Sequence, residues 1–116
     1  THGFESPDGK FVYFGSSPFS LWRVPAGGGK ETQVPGVDLK GGLGLCRQGV
    51  YYFSASDDFR TMTLYFKPYV GGQPVRIMTR PTYVYGPITV SEDGRKLIFA
   101  EIDGQGSDLM LAEDFS

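Results

Sequence analysis

A unit of one turn and two apolar strands recurs three times, and this repeat constrains the fold more than any other feature of the chain. In the first copy, the turn Ser6–Lys10 (SPDGK) leads into the apolar run Phe11–Phe14. A second apolar run, Leu21–Val24, follows and is succeeded by the glycines Gly27–Gly29. Asp-Gly turns and glycine-rich reversals between aromatic or β-branched runs are typical of antiparallel hairpins. The unit therefore predicts a meander of short strands.

The spacing of the repeat predicts the size of each sheet. The glycines that precede the first long strand of each copy, Gly9, Gly49 and Gly94, are separated by 40 and 45 residues. A period of about 40–45 residues with four strands per unit is typical of β-propeller blades. Helices are not predicted, because Gly or Pro interrupts most windows long enough to hold an amphipathic helix.

The chain is therefore predicted to be all-β, with four-stranded antiparallel blades in one partial propeller domain, 1–116. The units span about 1–37, 38–80 and 81–116 and amount to about two and three-quarter blades. The predicted strands are His2–Glu5, Lys10–Gly15, Ser20–Val24, Glu31–Val34, Leu43–Arg47, Val50–Ser54, Met62–Phe66, Pro74–Met78, Pro87–Val90, Lys96–Glu101 and Asp108–Ala112.

The first long strand of each unit is apolar at consecutive positions rather than at alternate ones. The three runs are Phe11–Phe14, Val50–Phe53 and Leu97–Phe99. A strand that is covered on one face should alternate, whereas a strand between two layers need not. The small residues in Gly42–Cys46 suit a crowded position at a central axis. These patterns predict sheets that stack face to face.

The SPDGK turn, the strand Phe11–Phe14 and the strand Leu21–Val24 with its glycine reversal closely resemble the TolB-type, WD-repeat-like propeller repeat of bacterial proteins. The resemblance covers nearly the whole chain, although Cys46–Gly49 replaces Ser-Pro-Asp-Gly in the second copy and Glu92 replaces proline in the third. It implies a multi-bladed ring that docks proteins or ligands, and it favours a periplasmic or extracellular location. It implies no catalytic residue, because the matching motifs are structural turns.

Eleven strands do not close a ring, since closed propellers have roughly four to eight blades. The two end faces would leave apolar surface in water, and the third unit would end on an unpaired strand edge. We expect further copies of the chain, or the missing remainder of a longer protein, to cover these surfaces. Two copies would fit a six-bladed ring. The chain begins at Thr1 rather than at a methionine, which is compatible with a processed form or an excised piece.

Composition argues against several classes of function. Eleven basic and 13 acidic residues, with no basic block, do not favour a nucleic-acid partner. A single cysteine, Cys46, excludes an intrachain disulfide and a cysteine-based zinc site. No run approaches the ~18 apolar residues of a membrane span. The only histidine is His2 and no Gly-x-Ser-x-Gly elbow occurs, so no serine triad is predicted.

We therefore expect no catalytic residue, no cofactor and no metal site. The segment Asp103–Asp108 has carboxylates that flank glycines but lacks the ligand ladder of a calcium loop, and it is predicted to be a hairpin turn.

Loops on one rim of the predicted propeller are the candidate binding surface. They are Ser16–Phe19, Pro35–Lys40, Ala55–Arg60, Arg80–Tyr85 and Ile102–Ser107. Tyr and Arg on exposed loops are frequent anchors of recognition surfaces. The predicted binding residues are Asp38, Lys40, Asp57, Asp58, Phe59, Arg60, Arg80, Tyr83 and Tyr85. The alternative is that these are solvated loops whose tyrosines pack on the ends of the sheets.

The sequence thus predicts a non-catalytic binding or scaffold module that presents rim loops to a protein or small ligand. One alternative is an accessory propeller domain of a larger enzyme, such as a peptidase, whose chemistry lies outside these residues. A third is a sugar-active propeller that uses aspartates near the axis.

Overall fold

The structure is a computed structural model, and it describes the backbone of residues 4–16, 18–56, 58, 60–81, 83–91, 93–102 and 107–113. The side chains of 83–87, 101–102 and 107–113 lie outside this description. The described residues contain strands and no helix, which confirms the all-β prediction. The strands are β1 (Phe4–Glu5), β2 (Phe11–Ser16), β3 (Ser20–Pro25), β4 (Thr32–Gln33), β5 (Leu43–Leu45), β6 (Gly49–Ala55), β7 (Met62–Pro68), β8 (Val75–Arg80), β9 (Tyr83–Val90), β10 (Lys96–Ile102) and β11 (Ser107–Glu113).

The strands form two four-stranded sheets and one three-stranded sheet, all antiparallel. Sheet A has the order β1-β2-β3-β4, sheet B the order β5-β6-β7-β8, and sheet C the order β9-β10-β11. Each sheet follows the order of the chain and is therefore a meander. Sheets A and B have the strand number and order that a propeller blade requires.

Sheet B is the middle layer, and its strand β6 is buried on both faces. Val50 and Tyr52 belong to the apolar cluster shared with sheet A, and each is 2% exposed. Tyr51 and Phe53 belong to the cluster shared with sheet C and are 6% and 0% exposed. Successive residues of a strand point to opposite faces. The uninterrupted apolar run therefore marks a strand between two layers, as predicted.

A network of side-chain hydrogen bonds closes the turn between β1 and β2. The Ser6 hydroxyl donates to Asp8 Oδ1 over 2.6 Å, and the same oxygen accepts the N–H of Lys10 over 3.0 Å. The N–H of Phe11 donates to Ser6 Oγ over 3.2 Å. Gly9 adopts a φ of 73°, which a residue with a side chain rarely adopts. Ser6, Asp8 and Gly9 therefore each have a structural role in this turn.

The same three hydrogen bonds recur in the turns Ser56–Thr61 and Ser91–Lys96. The Ser91 turn precedes β10, where the repeat predicts it, but the Ser56 turn joins β6 to β7. In the second unit the hairpin before β6 lacks this network, and Gly49 already belongs to β6. A Cβ at Gly49 would clash with the carbonyl oxygen of Lys67, so glycine is required there by the close approach of β7 and not by the geometry of a turn.

Acid is expected to destabilise the fold through these three turns. The serine hydroxyl and then the backbone N–H hold the pKa of Asp8, Asp58 and Asp93 below the ordinary value of 3.8. A depressed folded-state pKa contributes stability that is fully present above pH 3.8 and is lost as the pH falls through the folded-state pKa. Urea unfolding curves recorded between pH 7 and pH 2 should therefore show an acid limb below about pH 4.

Replacing all three aspartates by asparagine tests the origin of this limb. Asparagine retains the Oδ1 acceptor but removes the titrating charge. The triple variant D8N/D58N/D93N should lose stability at pH 7 and show a weaker decline toward pH 2. An unchanged acid limb in the triple variant would show that other groups cause it.

Candidate functional site

The connection between sheets A and B brings the predicted residues Asp38 and Lys40 to one end of the stack. The N–H of Leu39 donates to the carbonyl of Phe19 over 2.9 Å, which ties the connection to the β2–β3 loop. The N–H of Lys40 donates to the carbonyl of Phe53 over 3.2 Å, which ties it to β6. Three segments that are distant in sequence therefore meet at this point.

The side chains at this point form one cross-linked group. Ser54 Oγ donates to Asp38 Oδ2 over 2.8 Å, and Lys40 Nζ lies 3.4 Å from the same oxygen. Lys40 Nζ also donates to the carbonyl of Ala55 over 3.4 Å and lies 5.3 Å from the ring centroid of Phe19. We name Phe19, Asp38, Lys40 and Ser54 the rim patch. Its members hold one another in place, because Asp38 Oδ2 contacts both the Ser54 hydroxyl and the Lys40 ammonium.

The exposure of the rim patch differs sharply between its two charges. The side chain of Lys40 is only 14% exposed, whereas that of Asp38 is 53% exposed, and Phe19 as a residue is 44% exposed. The Lys40 side chain is therefore mostly buried, and its ammonium group contacts Asp38 Oδ2 and the carbonyl of Ala55. The exposed groups of the rim patch are therefore the Asp38 carboxylate and the Phe19 ring.

A cleft of about 350 Å³ lies next to Asp38. Tyr52 and Tyr65 stack on one wall with their ring centroids 5.5 Å apart. Burial, and then the nearby Tyr65 and Asp38, raises the pKa of the Tyr52 hydroxyl, which is therefore neutral at physiological pH. The cleft combines carboxylate, hydroxyl and amide groups with aromatic carbon. Its lining residues are Gly36, Asp38, Tyr52, Ser54, Tyr65, Gln73 and Pro74.

Asp58 and Arg60 lie at the tip of the β6–β7 hairpin, and their roles there differ. Asp58 Oδ1 accepts the Ser56 hydroxyl and the backbone N–H of Arg60, so its carboxylate closes the turn. Arg60 Nε lies 3.8 Å from Asp58 Oδ2, and the two side chains are 87% and 62% exposed. Exposed ion pairs of this kind contribute little to stability. The structure thus explains Asp58 as a turn residue and leaves Arg60 at the surface.

Arg80 closes β8 and is half-buried, with Met62 as its Cα partner. Because Met62 pairs in turn with Ala55, the three residues lie at the same end of sheet B as the rim patch. Asp57 and Phe59, which were also predicted to bind, lie outside the described residues.

The prediction that Arg80–Tyr85 is a loop is wrong. Tyr83 and Tyr85 lie in β9, where the register pairs them with Ile102 and Ala100 of β10. Alternating tyrosine and valine has a strong preference for extended structure, and the neighbouring strand β10 is long enough to pair with it. The hairpin turn predicted at Asp103–Asp108 stays a prediction, because residues 103–106 lie outside the described part of the chain.

Sequence reasoning did not single out Ser54 or Phe19. Ser54 is only 9% exposed and follows an apolar run. A buried hydroxyl requires a hydrogen-bond partner, so the position of Ser54 after an apolar run indicated that it has one. The sequence did not indicate that this partner is Asp38. Phe19 lies at the end of a predicted rim loop but carries no motif. Its place in the patch depends on how the connection folds back over the β2–β3 loop.

A larger cleft, of about 630 Å³, lies between sheets B and C at the opposite end. The Tyr51 hydroxyl donates to the carbonyl of Gly94 over 2.9 Å at this cleft, and burial raises the pKa of Tyr51 to about 12. None of the predicted binding residues whose side chains the structure describes lines this cleft. Its lining residues are Gln48, Tyr51, Phe66, Val75, Arg76, Ile77, Asp93, Gly94 and Arg95.

Within the described part of the chain, no three His, Cys, Asp or Glu side chains group together in a way that could hold a metal ion. None of the described segments forms a helix that is long and apolar enough to cross a membrane. No family model matches the chain, and no curated protein matches it significantly.

Proposed function

We propose that the chain is a non-catalytic binding or scaffold module, an arc of stacked propeller blades that presents the rim patch to a protein or small ligand. The rim patch carries this proposal, because three segments from different parts of the chain converge there. Their hydrogen bonds fix an exposed carboxylate beside an exposed ring. A surface that is ordered before binding loses little conformational entropy when a partner binds.

The exposed groups indicate the chemistry of the partner. Asp38 is the more exposed charge of the patch, and Phe19 adds apolar area next to it. A carboxylate accepts hydrogen bonds and attracts cations. The partner group that fits best is a cationic or amide donor attached to an apolar stem, such as an arginine, a lysine or an amide side chain of a protein.

The Ser54 hydroxyl does not act as a nucleophile in this proposal. Its only described acceptor is Asp38 Oδ2, which also lies beside the Lys40 ammonium. The hydroxyl donates its hydrogen bond to the same carboxylate oxygen that lies 3.4 Å from the ammonium, so it holds that oxygen in place. Ser54 instead orients the carboxylate.

Site-specific photocrosslinking in the cells that naturally make the protein tests this function. p-Benzoylphenylalanine placed at position 19 retains an aromatic ring in the patch, and the same group at position 70 is the control, because Val70 is 91% exposed in the β7–β8 loop. We expect a discrete adduct from position 19 that is absent from position 70. Changing Asp38→Ala in the position-19 protein should reduce the adduct about tenfold, as the loss of one charged hydrogen bond predicts.

A second control separates recognition from turn structure. Asp58→Ala removes an exposed carboxylate at the same end of sheet B and should leave the adduct at position 19 unchanged. Equal adducts from positions 19 and 70, or an adduct that is insensitive to Asp38→Ala, would contradict the proposed function.

A further inference from the structure

The three sheets repeat one packing arrangement. We call the face of a sheet that is directed toward the next sheet along the chain its front face, and the opposite face its back face. Between sheets A and B, the front-face residues Tyr13 and Leu21 share a cluster with the back-face residues Val50 and Tyr52. All four are at most 2% exposed. The front of one sheet thus packs against the back of the next.

The contact between sheets B and C has the same form. The front-face residues Tyr51 and Phe53 of sheet B share a cluster with the back-face residues Leu97 and Phe99 of sheet C. The rings of Phe53 and Phe99 meet edge to face, with their centroids 5.1 Å apart. The two internal interfaces therefore use the same strand positions.

Hydrogen bonds at the start of each hairpin establish which positions correspond. The carbonyls of Phe11, Gly49 and Lys96 each accept the N–H that closes the hairpin before the long strand. The residues that follow these carbonyls, Val12, Val50 and Leu97, are therefore equivalent. Two positions further along, the equivalent residues are Phe14, Tyr52 and Phe99.

The equivalent residues on sheet A, Val12 and Phe14, lie on its back face, and no sheet in the described part of the chain covers that face. Val12 lies opposite Val24, and Phe14 lies opposite Trp22. All four are half-buried, whereas the equivalents of Val12 and Phe14 on β6 and β10 are at most 3% exposed. We name these four residues the back stripe. The indole N–H of Trp22 donates to Ser20 Oγ over 2.9 Å, so its polar atom already has a partner if the ring becomes buried.

The front face of sheet C carries the other half of the interface. Ile98 is 41% exposed, although the equivalent residues Tyr13 and Tyr51 are 2% and 6% exposed against the next sheet. Its neighbour on the same face, Ala100, is small and half-buried. Among the described residues, no further sheet covers the back face of sheet A or the Ile98 position on the front face of sheet C.

We infer that the back stripe of one chain binds the front face of sheet C of a second copy, in the arrangement that already joins A to B and B to C. This inference rests on the proposed arc of blades and names its partner. Two copies contribute six sheets, which lies within the range of roughly four to eight blades of closed propellers. Each contact joins two different surfaces, and a twofold axis between the copies makes both contacts in one closed ring. Once the first contact has formed, the two surfaces of the second contact belong to the same dimer, so they meet at a high effective concentration.

The mass of the protein in solution tests this inference. Light scattering coupled to size-exclusion chromatography, at micromolar concentration, should give twice the chain mass of 12.7 kDa. Phe14→Glu in the back stripe and Ile98→Glu on sheet C should each give a monomer with an unchanged β-sheet circular dichroism spectrum. Val70→Glu introduces the same charge at a 91% exposed position and should remain a dimer. If Phe14→Glu does not fold, Val24→Glu tests the edge of the same stripe.

Mixing the two monomeric variants distinguishes the head-to-tail contact from others. The mixture retains one intact interface, because the front face of the Phe14→Glu chain and the back stripe of the Ile98→Glu chain are both unaltered. We expect a heterodimer whose Kd is about 100-fold or more weaker than that of the wild type, since ring closure is lost. A wild-type monomer would overturn the inference, as would an Ile98→Glu protein that remains a dimer while Phe14→Glu does not.

The two proposals fail separately. A wild-type monomer that still gives the Asp38-dependent adduct at position 19 overturns the inference and supports the proposed function. A wild-type dimer that gives no adduct at position 19 supports the inference and contradicts the proposed function.

Discussion

Replacing Phe53 by alanine is expected to lower the free energy of unfolding by about 3–5 kcal/mol. Phe53 is fully buried in the middle sheet and packs against Phe99 of sheet C. Its removal loses the transfer free energy of the ring and leaves a cavity that two flanking sheets cannot fill without shifting. Urea unfolding at neutral pH, followed by the fluorescence of Trp22, measures the change.

A double-mutant cycle establishes whether the loss comes from the contact between sheets. Phe53→Ala and Phe99→Ala together should cost less than the sum of the single changes, by about 0.5–1.5 kcal/mol for an aromatic pair. Val70→Ala, at a fully exposed position, should change stability by less than about 0.5 kcal/mol. Additive effects of the two phenylalanine changes would show that sheets B and C do not meet as described.

The strands were predictable because their signals are local. Apolar runs bounded by Asp-Gly turns or glycine reversals indicate short strands, and each predicted strand has a counterpart in the structure. The burial of β6 on both faces was predictable for the same reason, because the run Val50–Phe53 contains no polar position. The ends of the strands were less accurate. Thus β4 is only Thr32–Gln33, both exposed, and it ends just before Pro35.

The rim patch was only partly predictable, because its contacts depend on the path of the connection between sheets. Asp38 and Lys40 could be placed on a rim by analogy with the repeat, but the hydrogen bond from Ser54 to Asp38 joins residues 16 positions apart. No local pattern specifies that pair. Asp58 shows the opposite case, because the Ser-x-Asp spacing that closes the first turn was visible in Ser56–Asp58 and indicates the turn that the structure has there.

Replacing Gly44 by alanine is expected to destabilise the fold by about 3 kcal/mol, at the upper end of the range for an overpacked site. Gly44 lies in β5, where a Cβ would be 2.5 Å from Ile88 O and 2.7 Å from Val90 Cγ2 of β9. The nearer atom belongs to a backbone carbonyl, so the clash can be relieved only if β5 and β9 move apart. Thermal and urea unfolding of the variant measure the cost.

Gly27 provides the matched control, because a Cβ at this position would meet nothing within 4 Å and its φ is not positive. Gly27→Ala should therefore be neutral or should stabilise by up to about 1 kcal/mol, through the lower entropy of the unfolded chain. The contrast isolates the approach of β5 to β9 from the general effect of replacing a glycine. If Gly44→Ala were as well tolerated as Gly27→Ala, β5 and β9 would have room between them, and the tight stacking of sheets B and C, after which the head-to-tail contact is patterned, would be wrong.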